Sequence, residues 1–223
     1  MEKSKNLCAK LANKLHRNSV SVIMDDEKYF TLRGNNIPGN DGYYSKNKAT
    51  CPDNVRFSGN EKFPKKILVW VAISERGISK PLIRPSKSEA INSDIYINEC
   101  LKERLIPFIQ YYHSDSNYIF WPDLATSHYS NATRAWMDQD IKYLEKSMNP
   151  PNVPQARPIE NFWGCLTQKV YENGWFAISE AQLIRRIELK LKEFDLKFVA
   201  TLMTGVKAKV KKIGKDGVYT LFD

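Results

Sequence analysis

Apolar residues fall along this chain in two rhythms: short runs with strand character, and longer stretches that repeat every three or four positions. Ser19 to Leu32 is rich in Val, Ile, Tyr and Phe and predicts a strand. Lys66 to Ser74 carries the unbroken run Ile67-Leu68-Val69-Trp70-Val71-Ala72-Ile73, the pattern of a strand buried on both faces. Glu75-Arg76-Gly77 turns the chain, and Ile78 to Arg84 predicts a shorter returning strand. Asn92 to Tyr111 sets Ile95, Ile97, Leu101, Leu105, Phe108 and Ile109 at helical intervals, with Pro107 expected to kink or end the helix. Tyr118 to Trp121 predicts a short strand running into Pro122-Asp123. A helix over Asn131 to Gln139 and another short strand, Ile141 to Leu144, follow.

Asn149 to Pro158 then holds four prolines in ten residues, which forbids regular structure and forces an extended path. After it, Ile159, Phe162, Trp163, Leu166 and Val170 recur at i, i+3, i+4, i+7 and i+11, a helix with one apolar face. Ser179 to Lys212 reads as helical and increasingly basic. Residues 33–64 are rich in Gly, Asn, Pro and Lys and predict a long loop. The first 17 residues look helical, with a weak apolar stripe at Leu7, Ala9, Leu11, Ala12 and Leu15.

Three consecutive strands form an antiparallel meander, whereas the later strand–helix–strand passage needs a crossover and hence parallel pairing. The expected fold is therefore α/β: a mixed five-stranded sheet flanked by helices, in the order of the ribonuclease H-like fold, with a basic C-terminal helical segment. The expected organisation is a basic linker or arm over 1–18, a catalytic-looking body over 19–180, and a helical extension over 181–223 packed on the same domain.

Charge sharpens this picture. The net +9 is concentrated at the two ends: residues 1–17 hold five Lys/Arg against one acid, and residues 185–215 hold ten against three, while residues 18–184 balance at 19 of each sign. Basic segments suit a polyanion such as nucleic acid, or simply make a solvated helix face. No apolar run approaches the roughly 20 residues that span a bilayer. The start lacks an apolar signal core, so the chain reads as intracellular. Cys8, Cys51, Cys100 and Cys165 are scattered, and only three histidines exist, so any bound metal is expected on oxygen ligands, magnesium or manganese rather than zinc.

Three carboxylates stand where such ligands would be needed. Asp26 and Asp123 end apolar runs, and Glu160 opens a helix, third in it if Pro158 is the first helical residue. In the expected topology the fourth strand lies beside the first, so Asp26 and Asp123 approach each other. Gly164, one turn after Glu160, is expected to admit a close backbone approach. Clustered carboxylates repel, and divalent cations reverse that cost while serving in-line displacement at phosphorus. Taken singly, Asp26 also reads as a polar strand end, Asp123 as a helix cap, Glu160 as a favourable helix-start charge, and His128 as a helix-start hydrogen-bonding residue.

The blocks Met24-Asp25-Asp26-Glu27-Lys28-Tyr29-Phe30, Trp121-Pro122-Asp123-Leu124-Ala125-Thr126-Ser127-His128 and Pro158-Ile159-Glu160-Asn161-Phe162-Trp163 together resemble the three signature blocks of mariner-like DDE transposases. The resemblance covers roughly residues 18–180, and 36 residues separate Asp123 from Glu160, close to the family's spacing. It implies Asp26, Asp123 and Glu160 as the catalytic and metal-binding triad, Asp26 being chosen over Asp25 because it directly precedes Glu. It further implies two Mg2+ ions per site, with Mn2+ able to substitute, and double-stranded DNA (transposon ends and target) as partner. Cut-and-paste transposition in the nucleus, by a homodimer or larger assembly, would be the activity. His128, Arg157, Lys207, Lys209, Lys211 and Lys212 are expected DNA contacts. Full members of the family carry N-terminal helix-turn-helix modules that this sequence is expected to lack. The alternatives are a catalytically silent relic serving as a DNA-binding or interaction module, and a generic ribonuclease H-like nuclease.

Overall fold

In the computed structural model of the chain, which describes residues 2–17, 20–33, 46–47, 65–85 and 90–218, the apolar run at 67–73 becomes the centre of a mixed sheet. β1 (Ser21–Thr31) and β2 (Lys66–Ser74) pair antiparallel, from Met24 opposite Ile73 to Thr31 opposite Lys66. On its other edge β2 takes β3 (Gly77–Ile78) and β4 (Leu82–Pro85). The single strand expected over 78–84 is thus divided. Between the Ile73–Ile78 and Trp70–Leu82 pairs the returning chain has one residue more than β2, a bulge. Pro81 has no N–H to donate there, and Ser79 bridges the gap: its N–H reaches Ala72 O and its Oγ accepts from Ala72 N–H, both at 2.8 Å.

β5 (Tyr118–Trp121) pairs parallel with β1, from Ser21 opposite Tyr118 to Met24 opposite Trp121. The strand expected over 141–144 shrinks to one parallel bridge, Phe120–Tyr143. Two hydrogen bonds flank it, Phe120 N–H to Lys142 O and Leu144 N–H to Phe120 O, and a turn closed by Met148 N–H on Glu145 O then ends the pairing. The loop expected over 33–64 lies almost wholly outside the described residues.

One face of the sheet is covered by α2, a continuous helix in three stretches, Ser93–Ile95, Tyr96–Leu105 and Ile106–Tyr112. Asn92 caps it, its side chain accepting from Ile95 N–H. Pro107 neither ends nor breaks this helix, contrary to expectation. The turns before it are wide, π-helical, with Ile106 N–H reaching back to Leu101 O, a spacing that eases the ring past the preceding carbonyls. Tyr96, Leu101, Leu105 and Phe108 pack here on Ile23, Trp70 and Phe120.

The opposite face packs Met24, Phe30, Val69, Val71 and Trp121 against α4 (Ile159–Val170), behind α3 (Asn131–Asp140) in the chain. The helical stretch after Ser179 is three helices, α5 (Glu180–Lys192), α6 (Leu196–Thr204) and α7 (Val206–Asp216), whose Leu183, Ile187, Val199, Val210 and Ile213 join the same apolar cluster. The stretch expected as a helical arm is α1 (Glu2–Arg17), and it lies along α7. Leu7, Leu11 and Leu15, spaced four apart, bury one side of it.

Candidate active site

The parallel register of β1 and β5 builds the site. With Met24 opposite Trp121, a step of two residues along both chains sets Asp26 level with Asp123, beyond the last β5 residue. Pro122 withholds an N–H from the ladder, and Asp123 turns the chain by accepting Ala125 N–H on Oδ1 at 2.8 Å. One carboxylate oxygen each of Asp26, Glu27 and Asp123 lie within 4.8 Å of one another. Of the three expected ligands the fold therefore brings two together, and Glu27 stands in the same cluster. Glu160 is exposed in the first turn of α4, on a shallow hollow shared with Asn161, Gly164, Cys165 and Gln168. Its charge still reaches Asp26.

Alternation along β1 sends neighbouring acids to opposite faces. Asp26 looks toward α4, where Trp163 Nε1–H donates to its Oδ2 at 2.9 Å. Burial, then the Glu160 charge, pushes the Asp26 carboxyl up to about 7, against the pull of Arg157. Asp25 looks toward α2 and is fully buried, accepting on Oδ2 from Trp70 Nε1–H at 3.0 Å and Tyr96 Oη–H at 2.7 Å. Its burial raises it to about 6.

His128 cross-links the cluster from behind. It is completely buried, its ring stacked on Tyr96 at 3.8 Å, with Nε2 3.3 Å from Glu27 Oε1 and Nδ1 2.5 Å from Asp123 Oδ1. The Asp123 contact is a close ion pair whose N–H lies off the line of centres. Burial works to lower the histidine, but the bonds to Asp123 and Glu27 and the Asp25 charge win and raise it to about 10. Burial likewise works to raise Asp123, and the His128 bond and charge hold it below the usual carboxylate range.

His128 is thus an internal cation rather than the DNA contact expected from the sequence, since no part of it is accessible. Arg157 is also turned inward: Nη2 donates to Asp25 O at 2.8 Å, and Nη1 lies 3.3 and 3.4 Å from the carbonyls of Trp121 and Pro122. These bonds tie β1 to β5 directly behind the carboxylates. Asn149 anchors the other end of the Pro-rich segment, donating to Pro122 O at 2.9 Å and accepting from Trp121 Nε1–H at 2.8 Å. Three tryptophan N–H groups thus also hold the site, Trp70 on Asp25, Trp163 on Asp26 and Trp121 on Asn149. Of the expected basic contacts on α7, Lys211 and Lys212 are exposed and Lys207 and Lys209 half-buried. The space at Gly164 is open, and a Cβ there would meet nothing within 4 Å among the described residues.

An all-oxygen donor set, with one carboxyl raised by burial and by the Glu160 charge, fits a hard divalent cation such as Mg2+ or Mn2+.

No protein-family profile matches the chain. Over 159 residues it is 32% identical to the transposable element Tc3 transposase of Caenorhabditis elegans, covering 71% of this chain and 45% of that protein. The chain thus spans less than half the length of this curated relative. The Mos1 transposase paired-end complex with left transposon end matches in structure with a TM-score of 0.77 at 17% identity, over 98% of this chain and 62% of that one. The Mos1 transposase catalytic domain solved with Raltegravir and Mg matches at 0.68 and 17% identity, over 97% and 94%. The sheet and its flanking helices are those of the Mos1 catalytic domain, a ribonuclease H-like fold. Taken with the sequence match to Tc3 transposase, this makes the chain a catalytic domain of the mariner-like transposase family.

Proposed function

We propose that this domain carries out metal-dependent DNA strand cleavage and strand transfer, the chemistry of cut-and-paste transposition by a DDE transposase. The observation that carries the reading is the β1–β5 register that levels Asp26 with Asp123, with Glu160 on α4 close enough to act on Asp26.

Asp26, Asp123 and Glu160 would hold the divalent ions, whose charge would offset the repulsion among these acids. Glu27 is a fourth carboxylate available to the same pair of ions. Bound Mg2+ or Mn2+, two per site, supplies charge neutralisation at the scissile phosphate. Trp163 fixes the Asp26 carboxylate through its N–H, His128 fixes Asp123, and Arg157 keeps both strands at one separation. The substrate is double-stranded DNA, transposon ends and target, met by two copies of the chain in the nucleus. The Mos1 complex with a transposon end and the Mos1 catalytic domain with Mg support the DNA and the divalent metal in this reading.

The test is nicking of supercoiled plasmid by the purified chain in Mg2+ or Mn2+, beside Asp123→Ala. Nicking that requires the metal and vanishes in the variant supports the reading. A well-folded chain that nicks equally with and without Asp123 overturns it.

A further inference from the structure

We propose that α1 and α7, drawn from opposite ends of the sequence, form one composite basic surface that binds the phosphate backbone of duplex DNA. This rests on the reading of the protein as a DNA-acting domain and adds the surface on which the duplex lies.

The two helices meet backbone to backbone. A Cβ at Gly214 would lie 2.6 Å from Ala9 N and 2.7 Å from Ala9 Cα, so no side chain separates them there. Lys10 on α1 and Lys211, Lys212 and Lys215 on α7 all lie within one turn of that contact, and all are exposed. Lys3, Lys10 and Lys14 recur at i, i+7 and i+11, one stripe of α1. Among the described residues no ion pair involves any of these six. On α4 and α5 three cations do have acidic partners: Lys190 and Arg186 lie 2.8 and 3.1 Å from Glu172, and Lys169 lies 3.7 Å from Glu193. The acids on these two helices are the terminal Glu2 and Asp216, so the lysines outnumber them and repel, and a polyanion removes that cost.

The dimensions favour a backbone over a small anion. The eleven helical steps from Lys3 to Lys14 span about 16 Å, roughly five phosphates along one strand at about 3.4 Å each. A lipid surface would want apolar anchors beside the cations. None of the large hydrophobic residues exposed among the described residues (Tyr111, Phe176 and Ile178 among them) lies on α1 or α7. The surface also bears on the reaction. Ser4 on α1 donates to Pro151 O at 2.8 Å and α7 packs on residues 154–156, so both helices hold the segment that delivers Arg157 and Glu160.

The experiment is fluorescence anisotropy of a 30-base-pair duplex with the full chain in EDTA, between 50 and 300 mM NaCl. Two triple variants, Lys3/Lys10/Lys14→Gln and Lys211/Lys212/Lys215→Gln, are compared with a matched control, Lys80/Lys102/Lys146→Gln, which removes three exposed lysines elsewhere. Each test triple should lower the slope of log affinity against log salt by about 2–3 and weaken binding at 100 mM by roughly tenfold or more. The control should leave the slope within about one unit of the parent. The corresponding Lys→Arg triples, which keep charge and helix, should bind as the parent does. Equal losses from test and control sets, or an unchanged slope in either test triple, would overturn the proposal. So would competition by vesicles of anionic lipid as effective as unlabelled duplex. Asp123→Ala should bind normally in EDTA, so a parent chain that shows this salt slope but no nicking dependent on Asp123 defeats the cleavage reading alone.

Discussion

Replacing His128 by Leu should cost this protein more stability at neutral pH than at high pH. The imidazole lies between Asp123 and Glu27, on the face shared with Asp25, and is wholly excluded from solvent. Its folded pKa is raised from 6.5 to about 10. A group raised in this way contributes stability that is fully present below its unfolded pKa and lost as pH rises through the folded one. The window is therefore pH 6.5 to 10. At 1.36 kcal/mol per unit the shift corresponds to about 5 kcal/mol as a ceiling. The depressed Asp123 reports the same contact from the other side and adds nothing to it. Removing one member of a buried ion pair typically costs about 3–5 kcal/mol, in agreement. Urea unfolding of parent and His128→Leu at pH 6.5, 8.5 and 10.5, without divalent metal, should give about 3–5 kcal/mol at the lowest pH and less than about half of that at the highest. A difference that stays flat across this range would mean a neutral imidazole, and the internal-cation account would fall.

Asp26, raised to about 7, must lose its proton to hold a cation, so apparent Mn2+ affinity should fall as pH drops below 7 and level off above it. Calorimetry in buffers of different ionisation enthalpy reads the proton released, and Glu160→Gln should move the inflection down. Trp163→Phe leaves Asp26 Oδ2 without its indole donor and should cost about 1–3 kcal/mol, seen as a lower urea midpoint. Gly214→Ala drives a methyl into the Ala9 backbone and should destabilise the chain, whereas Gly164→Ala, open on all sides, should stabilise α4 by about 0.5–1 kcal/mol. Thermal melts that rank these two glycine variants the other way round would contradict the packing.

The sequence by itself determined the elements whose signals are local. The unbroken run at 67–73, the period of Ile159, Phe162, Trp163, Leu166 and Val170, and the meander-then-crossover order are readable because burial repeats with the backbone's own geometry. Asp26 and Asp123 were legible as ends of apolar runs. Tertiary structure decided what depends on register and on contacts across the chain. Only the pairing of Met24 with Trp121 levels Asp26 with Asp123, and only the pleat separates buried Asp25 from Asp26. Glu27 enters the carboxylate cluster and meets His128 from 101 positions away, and Arg157 turns inward onto the backbone carbonyls of Asp25, Trp121 and Pro122. The widened turns before Pro107, the bulge at Ser79 and the reduction of 141–144 to a bridge answer to the neighbouring elements rather than to propensity. The basic ends were visible as composition, but their meeting in one helix pair required Gly214 to rest on Ala9, and no local pattern records a contact between residues two hundred positions apart.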